Sequence, residues 1–189
     1  MNLPNKLTVL RLFITAAFVF CLTVPFPFAH TVALLLFITA SITDYLDGSI
    51  ARRHNLITDF GKLMDPVADK ILTAAAFICL IPFGLIPAWV VIVIIAREFL
   101  ITGLRLLASN KGTVLPAEKL GKHKTAWQIT TIIFFLLKLT VDEWSGGSTL
   151  FLNPLWQIGG PILIAVTTVL TIYSGVGYLV KNRHLLTAK

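Results

Sequence analysis

Residues 44–69 read Asp-Tyr-Leu-Asp-Gly-Ser-Ile-Ala-Arg-Arg-His-Asn-Leu-Ile-Thr-Asp-Phe-Gly-Lys-Leu-Met-Asp-Pro-Val-Ala-Asp, a charged stretch in a chain that is otherwise mostly apolar. Five of the nine acidic residues of the whole sequence fall inside it. Asp44 and Asp47 stand three apart at the end of one apolar run, and Asp65 and Asp69 stand four apart at the start of the next. On a helix each spacing puts both side chains on one face. The stretch therefore predicts two antiparallel helices joined by a short loop, with four carboxylates converging near a membrane surface.

The rest of the sequence sets that surface. The 189 residues are 56% hydrophobic and 13% charged, with a mean hydropathy of +0.84. A soluble domain carries about 25% charged residues, so a disordered chain, a coiled coil, a collagen-like fibre and a disulfide-rich scaffold are excluded. A membrane helix needs about 20 mostly apolar residues. Six candidate spans meet that need approximately, at 12–28, 31–46, 67–83, 87–108, 125–139 and 161–179. Pro25 and Pro27, then Pro82, Gly84 and Pro87, then 145–148 with Pro154 punctuate them. The predicted fold is all-α: a polytopic six-transmembrane-helix bundle forming one domain over 1–189. A cleaved signal peptide fits poorly, because no small-residue cleavage site follows the first run and five more spans come after.

Lysine and arginine alternate by side. Lys6 and Arg11 precede the first span, and Arg52, Arg53, Lys62 and Lys70 lie between the second and third. Lys111, Lys119, Lys122 and Lys124 lie between the fourth and fifth, and Lys181, Arg183 and Lys189 follow the sixth. The opposite loops have none, apart from Lys138 at an edge. The positive-inside rule then turns both termini and the acidic stretch to the cytoplasm, as in a bacterial inner membrane. The basic residues track topology and form no stripe for a nucleic acid. Cys21 and Cys79 sit in apolar runs and read as small buried residues, and His30, His54, His123 and His184 show no zinc-ligand spacing.

Four carboxylates held together repel and raise one another's pKa unless a cation neutralises them. An all-oxygen set favours a hard ion such as Mg²⁺, Mn²⁺ or Ca²⁺. Four Asp can hold two ions about 3.5–4 Å apart, an arrangement that clamps a phosphoryl centre. Plainer roles compete. Asp65 before Pro66 has the form of an N-cap with Pro at the first helical position, which is compatible with metal binding. Asp59 fits neither face and reads as solvated loop. Gly48 and Gly61 read as helix-end or turn glycines, or as places where a phosphate or base approaches the backbone. Arg52 is a positive-inside anchor or a phosphate ligand. A membrane prenyltransferase would spread its Asp motifs over a longer stretch, and a cation transporter would carry its carboxylates near the midplane.

The pattern Asp44-x2-Asp47-Gly48-x2-Ala51-Arg52-x8-Gly61-x3-Asp65-x3-Asp69 resembles, without departure, the signature of the CDP-alcohol phosphotransferases, integral membrane enzymes of phospholipid synthesis. The resemblance implies six transmembrane helices with the motif on the second and third, and a homodimer. It implies a divalent cation cofactor, Mg²⁺ or Mn²⁺ and two ions, on Asp44, Asp47, Asp65 and Asp69. Asp69 completes the site as general base, and Gly48, Ala51, Arg52 and Gly61 line the pocket for the CDP moiety.

Three further segments bear on the acceptor, and all resemble the branch of that family that joins CDP-diacylglycerol to sn-glycerol 3-phosphate. By that resemblance Pro4-Asn5-Lys6-Leu7-Thr8-Val9-Leu10-Arg11 implies a short N-terminal interfacial helix that brings Asn5 and Thr8 to the nucleotide, where plain capping is the alternative. Lys6 and Arg11 can meet anionic headgroups. Arg97-Glu98-x2-Ile101-Thr102-Gly103-x-Arg105 puts charges inside an apolar span, which marks a functional site by default. Arg97 and Arg105, about two turns apart, face one side, and Glu98 can balance either. Gly121-Lys122-His123-Lys124-Thr125 adds two cations, which also fit as juxtamembrane charges. Together Arg97, Arg105, Lys122 and Lys124 suit an acceptor phosphate. The expected reaction is phosphatidyl transfer to sn-glycerol 3-phosphate with release of CMP, and the nearest rival acceptor is inositol phosphate.

Overall fold

The computed structural model describes residues 3–54, 59–110, 119–146 and 153–183, with side chains described for 8–43, 67–68, 70–109, 121, 123–146 and 153–183. Among these residues the chain is all helix. The six elements are α1 (Leu3–Thr23), α2 (Ala29–His54), α3 (Asp59–Leu80), α4 (Ala88–Asn110), α5 (Lys119–Ser145) and α6 (Asn153–Lys181).

Local chemistry sets the ends. Pro25 and Pro27 have no N–H to extend α1, and α2 starts just beyond them. Phe28, immediately before α2, has a φ of 63°, a left-handed conformation that costs a bulky residue of order 1–3 kcal/mol. Its ring meets that of Trp144 edge-on at 6.0 Å, and Trp144 Nε1 donates to Thr31 Oγ1 at 2.8 Å. Glu143 completes this staple by accepting from the backbone N–H groups of His30 and Thr31 at 3.0 and 3.1 Å and from Thr31 Oγ1 at 2.7 Å. A carboxylate from α5 thus satisfies the open N–H donors at the start of α2. Gly146, with φ 58°, supplies the left-handed residue that ends α5.

Helix α1 packs on both α2 and α3, α2 also packs on α5, α5 on α6, and α4 on α6. The shared core is built from Phe18, Phe37, Phe77, Leu80, Val90, Ile132 and Leu136, all at most 1% exposed. Between α5 and α6 the packing is close. A Cβ on Gly159 or Gly160 would stand 3.0–3.1 Å from the rings of Phe134 and Phe135, and Thr131 Oγ1 meets Thr167 Oγ1 at 2.8 Å. The outside is apolar, with Phe13, Trp89, Ile92, Phe99, Ile158 and Val169 exposed. Helices α5 and α6 are long and apolar enough to cross a membrane over His123–Ser145 and Asn153–Lys181.

Four expectations change. No separate interfacial helix precedes the first span: α1 runs unbroken from Leu3, because Pro4 sits in the first turn, where its missing N–H is tolerated. Asp59 is the first residue of α3 and not loop, which suits an acidic residue beside the positive end of the helix dipole. Asp65 is consequently not an N-cap; it and Pro66 lie inside α3. Gly48 and Gly61 lie inside α2 and α3, so neither is a turn glycine.

Candidate active site

The helices alternate in direction, so the C-terminal halves of α2, α4 and α6 share one end of the bundle with the N-terminal halves of α1, α3 and α5. Among the described residues, four cross-helix hydrogen bonds tie α4 to its neighbours at that end, one of them from Lys124 to Glu98. Lys70 of α3 donates to Thr102 of α4, whose own hydroxyl donates to the Glu98 carbonyl at 2.7 Å. Arg97 Nη2 of α4 donates to Ser174 Oγ of α6 at 3.2 Å. Arg105 Nε donates to Tyr178 Oη at 3.2 Å, with the guanidinium carbon 5.6 Å from the ring centroid.

Glu98 is the hub of this group. Its Oε1 lies 3.2 Å from Arg97 Nη1 and also accepts from Lys124 of α5. Lys124 is 3% exposed, and the side chains of Arg97 and Glu98 are 13% and 18% exposed. Buried charges persist only when paired, and here one carboxylate serves two cations. Glu98 balances Arg97, as one of the two expected options has it, and Lys124 as well. Arg97 crosses α6 where Gly175 lies, and a Cβ there would stand 2.9 Å from Arg97 Cγ. The aliphatic stem of Arg97 passes where a glycine leaves room. Arg97 Nε is buried and meets no hydrogen-bond acceptor among the described residues.

Two of the expected acceptor cations, Arg97 and Lys124, meet on Glu98, and Arg105 joins Tyr178 instead. Arg97 and Arg105 both face α6, and Lys124 joins Arg97 through Glu98; the side chain of Lys122 lies outside the described residues. Asp44, Asp47, Gly48, Ala51 and Arg52 are carried on the C-terminal part of α2, and Gly61, Asp65 and Asp69 on α3. Both segments belong to the end that holds the cation group. The side chains of those eight positions, and of Asn5, lie outside the described residues. Thr8 is 1% exposed on α1. Arg11 is also 1% exposed, so it is buried and does not reach lipid headgroups.

Some members of the group were not expected. Ser174 and Tyr178 are neutral residues in the most apolar helix, and Lys70 read only as a topological charge. The signal for the first two was periodic: Thr167, Thr171, Ser174 and Tyr178, all buried, recur every three or four residues along one face of α6. Elsewhere, Cys21 and Cys79 are free thiols, as their apolar settings predict.

An acidic pair on each of two helices, beside a buried cluster of arginine and lysine, is the equipment of a phosphoryl-transfer site. The chain matches the CDP-alcohol phosphatidyltransferase family over residues 1–177, and it belongs to that family. It is 47% identical over 148 residues to the CDP-diacylglycerol–glycerol-3-phosphate 3-phosphatidyltransferase of Bacillus subtilis, covering 72% of this chain and 77% of that one. The enzyme of the same name from Rickettsia bellii is 36% identical over 177 residues, covering 94% of this chain and 93% of the relative. A probable phosphatidylglycerophosphate synthase of Mycobacterium tuberculosis is 37% identical over 183 residues, covering 95% and 81% respectively.

Proposed function

We propose that this protein transfers the phosphatidyl group of CDP-diacylglycerol to sn-glycerol 3-phosphate, releasing CMP. The names of its relatives point to that donor and acceptor. The observation that supports the acceptor reading is the part-buried cation group around Glu98, in which Arg97 and Lys124 meet one carboxylate and Arg97 Nε meets no acceptor among the described residues. Arg97, Arg105 and Lys124, with Lys122, hold the acceptor phosphate through charge-assisted hydrogen bonds. A neutral acceptor such as serine would offer this group no anion beyond Glu98.

The primary hydroxyl of the acceptor then attacks the phosphorus that bears diacylglycerol. A new P–O bond forms there, the phosphoanhydride P–O bond breaks, and CMP leaves with the bridging oxygen. Asp69 accepts the hydroxyl proton. Asp44, Asp47, Asp65 and Asp69 form an all-oxygen, all-carboxylate donor set that fits one or two Mg²⁺ or Mn²⁺ ions. When bound, such ions offset charge on the pyrophosphate and on the leaving group. Arg52 contributes to the same phosphates, while Asn5, Thr8, Gly48, Ala51 and Gly61 shape the nucleotide pocket. Positioning and electrostatics supply most of the rate, with no covalent enzyme intermediate.

All six helices cross the inner membrane in this reading, with the site and both termini on the cytoplasmic side, and the chain works as a homodimer. The purified protein in detergent should release CMP from CDP-diacylglycerol only when sn-glycerol 3-phosphate is added, and should stop when a chelator is added. Activity with inositol phosphate instead overturns the acceptor assignment. Asp69→Asn should keep CDP-diacylglycerol binding and lose turnover, and a variant running near the wild-type rate removes Asp69 as the base.

A further inference from the structure

Helix α1 buries one face. Thr8, Arg11, Thr15 and Phe18 follow one another at steps of three and four residues, and each is at most 4% exposed. Arg11 is the charged member, at 1%. The helices that α1 packs on are α2 and α3, and the register with α2 can be read from the core. The rings of Phe18 and Phe37 stand 5.8 Å apart on helices that run antiparallel. Seven residues back along α1 from Phe18 is Arg11, and seven residues on along α2 from Phe37 is Asp44. Two turns rise about 10 Å on either helix. Arg11 and Asp44 therefore occupy one level of the bundle, on the continuation of the faces that carry Phe18 and Phe37.

A buried guanidinium persists only with a counter-charge, and Arg11 is not without a partner. Asp142 and Glu143 belong to the opposite end of the bundle, where Lys138, His30 and Thr31 engage them. Glu98 is on α4 and already serves Arg97 and Lys124. Glu118 belongs to the connection between α4 and α5. The carboxylates carried on α2 and α3, at Arg11's own end, are Asp44, Asp47, Asp65 and Asp69, with Asp59 beyond them at the start of α3. Four such groups repel one another while no ion is bound. A fixed cation beside them lowers that repulsion and, by the same Coulomb interaction, opposes an arriving ion.

We propose that Arg11 is a positioning residue of the aspartate centre, a built-in counter-charge that holds the Asp44, Asp47, Asp65 and Asp69 quartet together while no divalent ion is bound. This rests on the reading of the quartet as a divalent-cation site. Arg11 touches no reacting atom. It lets the centre lose and regain ions without α2 and α3 parting, and it keeps ion affinity below what four bare carboxylates would give.

The test measures the unfolding temperature and Mn²⁺ binding of the full-length protein in detergent, without nucleotide, for the wild type, Arg11→Met, Arg11→Gln and Arg11→Lys. The two neutral variants should unfold earlier than the wild type in EDTA and regain most of the difference in saturating Mn²⁺. They should also bind Mn²⁺ about tenfold or more tightly than the wild type, because a nearby positive charge has gone. Arg11→Lys keeps the charge and should stay within about threefold of the wild-type affinity. An equal loss of stability with and without Mn²⁺, at unchanged affinity, makes Arg11 a packing residue and overturns the proposal. Weaker Mn²⁺ binding in the neutral variants overturns it too. If neither neutral variant folds, Arg11→Met combined with Asp44→Asn decides, since it removes both charges. That double variant should fold and outlast Arg11→Met in EDTA, and failure to recover it overturns the proposal. A wild type that takes up no Mn²⁺ refutes the metal-site reading instead, and the EDTA stabilities of Arg11→Met with and without Asp44→Asn then decide Arg11 on their own.

Discussion

Glu98 on α4 and Lys124 on α5 form a buried ion pair, and the same carboxylate oxygen stands 3.2 Å from Arg97 Nη1. Removing one member of a buried pair leaves the other charge uncompensated, at about 3–5 kcal/mol. Glu98→Ala should therefore lower the unfolding temperature in detergent. It should also reduce kcat/KM for sn-glycerol 3-phosphate by about tenfold or more, because two of the proposed phosphate ligands lose their anchor (1.4 kcal/mol per tenfold). Glu98→Asp, which keeps the charge on a shorter arm, should fall in between. A stable Glu98→Ala protein with ordinary acceptor kinetics would contradict the pairing.

Tyr178 gives Arg105 a hydrogen-bond acceptor at 3.2 Å and an aromatic face at 5.6 Å. Tyr178→Phe removes the first and keeps the second. A hydrogen bond to a charged donor is worth about 1.5–3 kcal/mol, less where solvent reaches it, and Arg105 is exposed. The KM for sn-glycerol 3-phosphate should rise about three- to tenfold, below that range because solvent reaches Arg105, with the KM for CDP-diacylglycerol unchanged. Equal changes in both constants would make Tyr178 a packing residue only.

Gly175→Ala is a steric counterpart. The added methyl would sit 2.9 Å from Arg97 Cγ, closer than carbon atoms tolerate. Overpacking of this kind costs about 1–3 kcal/mol, and Arg97 must shift away from Ser174. Acceptor affinity should drop more than it does in Ser174→Ala, which deletes a single hydrogen bond. Titrating both variants with sn-glycerol 3-phosphate checks the order.

At the opposite end, Glu143→Ala removes three hydrogen bonds to His30 and Thr31. The variant should unfold several degrees earlier in detergent, from a loss of about 1–3 kcal/mol. Its kcat and both KM values should match the wild type, because the staple lies far from the cation group. Altered acceptor kinetics would show that the two ends communicate.

Much of this was legible in the sequence. The order of the six helices followed from apolar runs and their Pro and Gly punctuation. The meeting of Arg97 and Lys124 at Glu98 was partly legible, from charges that have no plain reason to sit in or beside apolar spans. Glu143 escaped notice because a loop-proximal carboxylate carries no sign of the helix start it will cap. Ser174 and Tyr178 escaped because an uncharged polar residue among leucines changes hydropathy little. Their roles depend on which face turns inward, and that is decided by packing between helices distant in sequence. The buried Arg11 is a similar case, since only the approach of α2 and α3 to α1 separates it from the headgroups that Lys6 was also read as meeting.

The hub at Glu98 also bears on how the chain is made. Helix α4 emerges from the ribosome carrying Arg97, Glu98 and Arg105, and each charge costs about 2.5–3.5 kcal/mol at the middle of a lone inserted helix. The groups that relieve those charges, Lys124, Ser174 and Tyr178, belong to segments synthesised later. If α4 crosses the membrane as proposed, it cannot settle fully in lipid until those partners are made. A chain that stops before α6 would leave Arg97 and Arg105 without Ser174 and Tyr178.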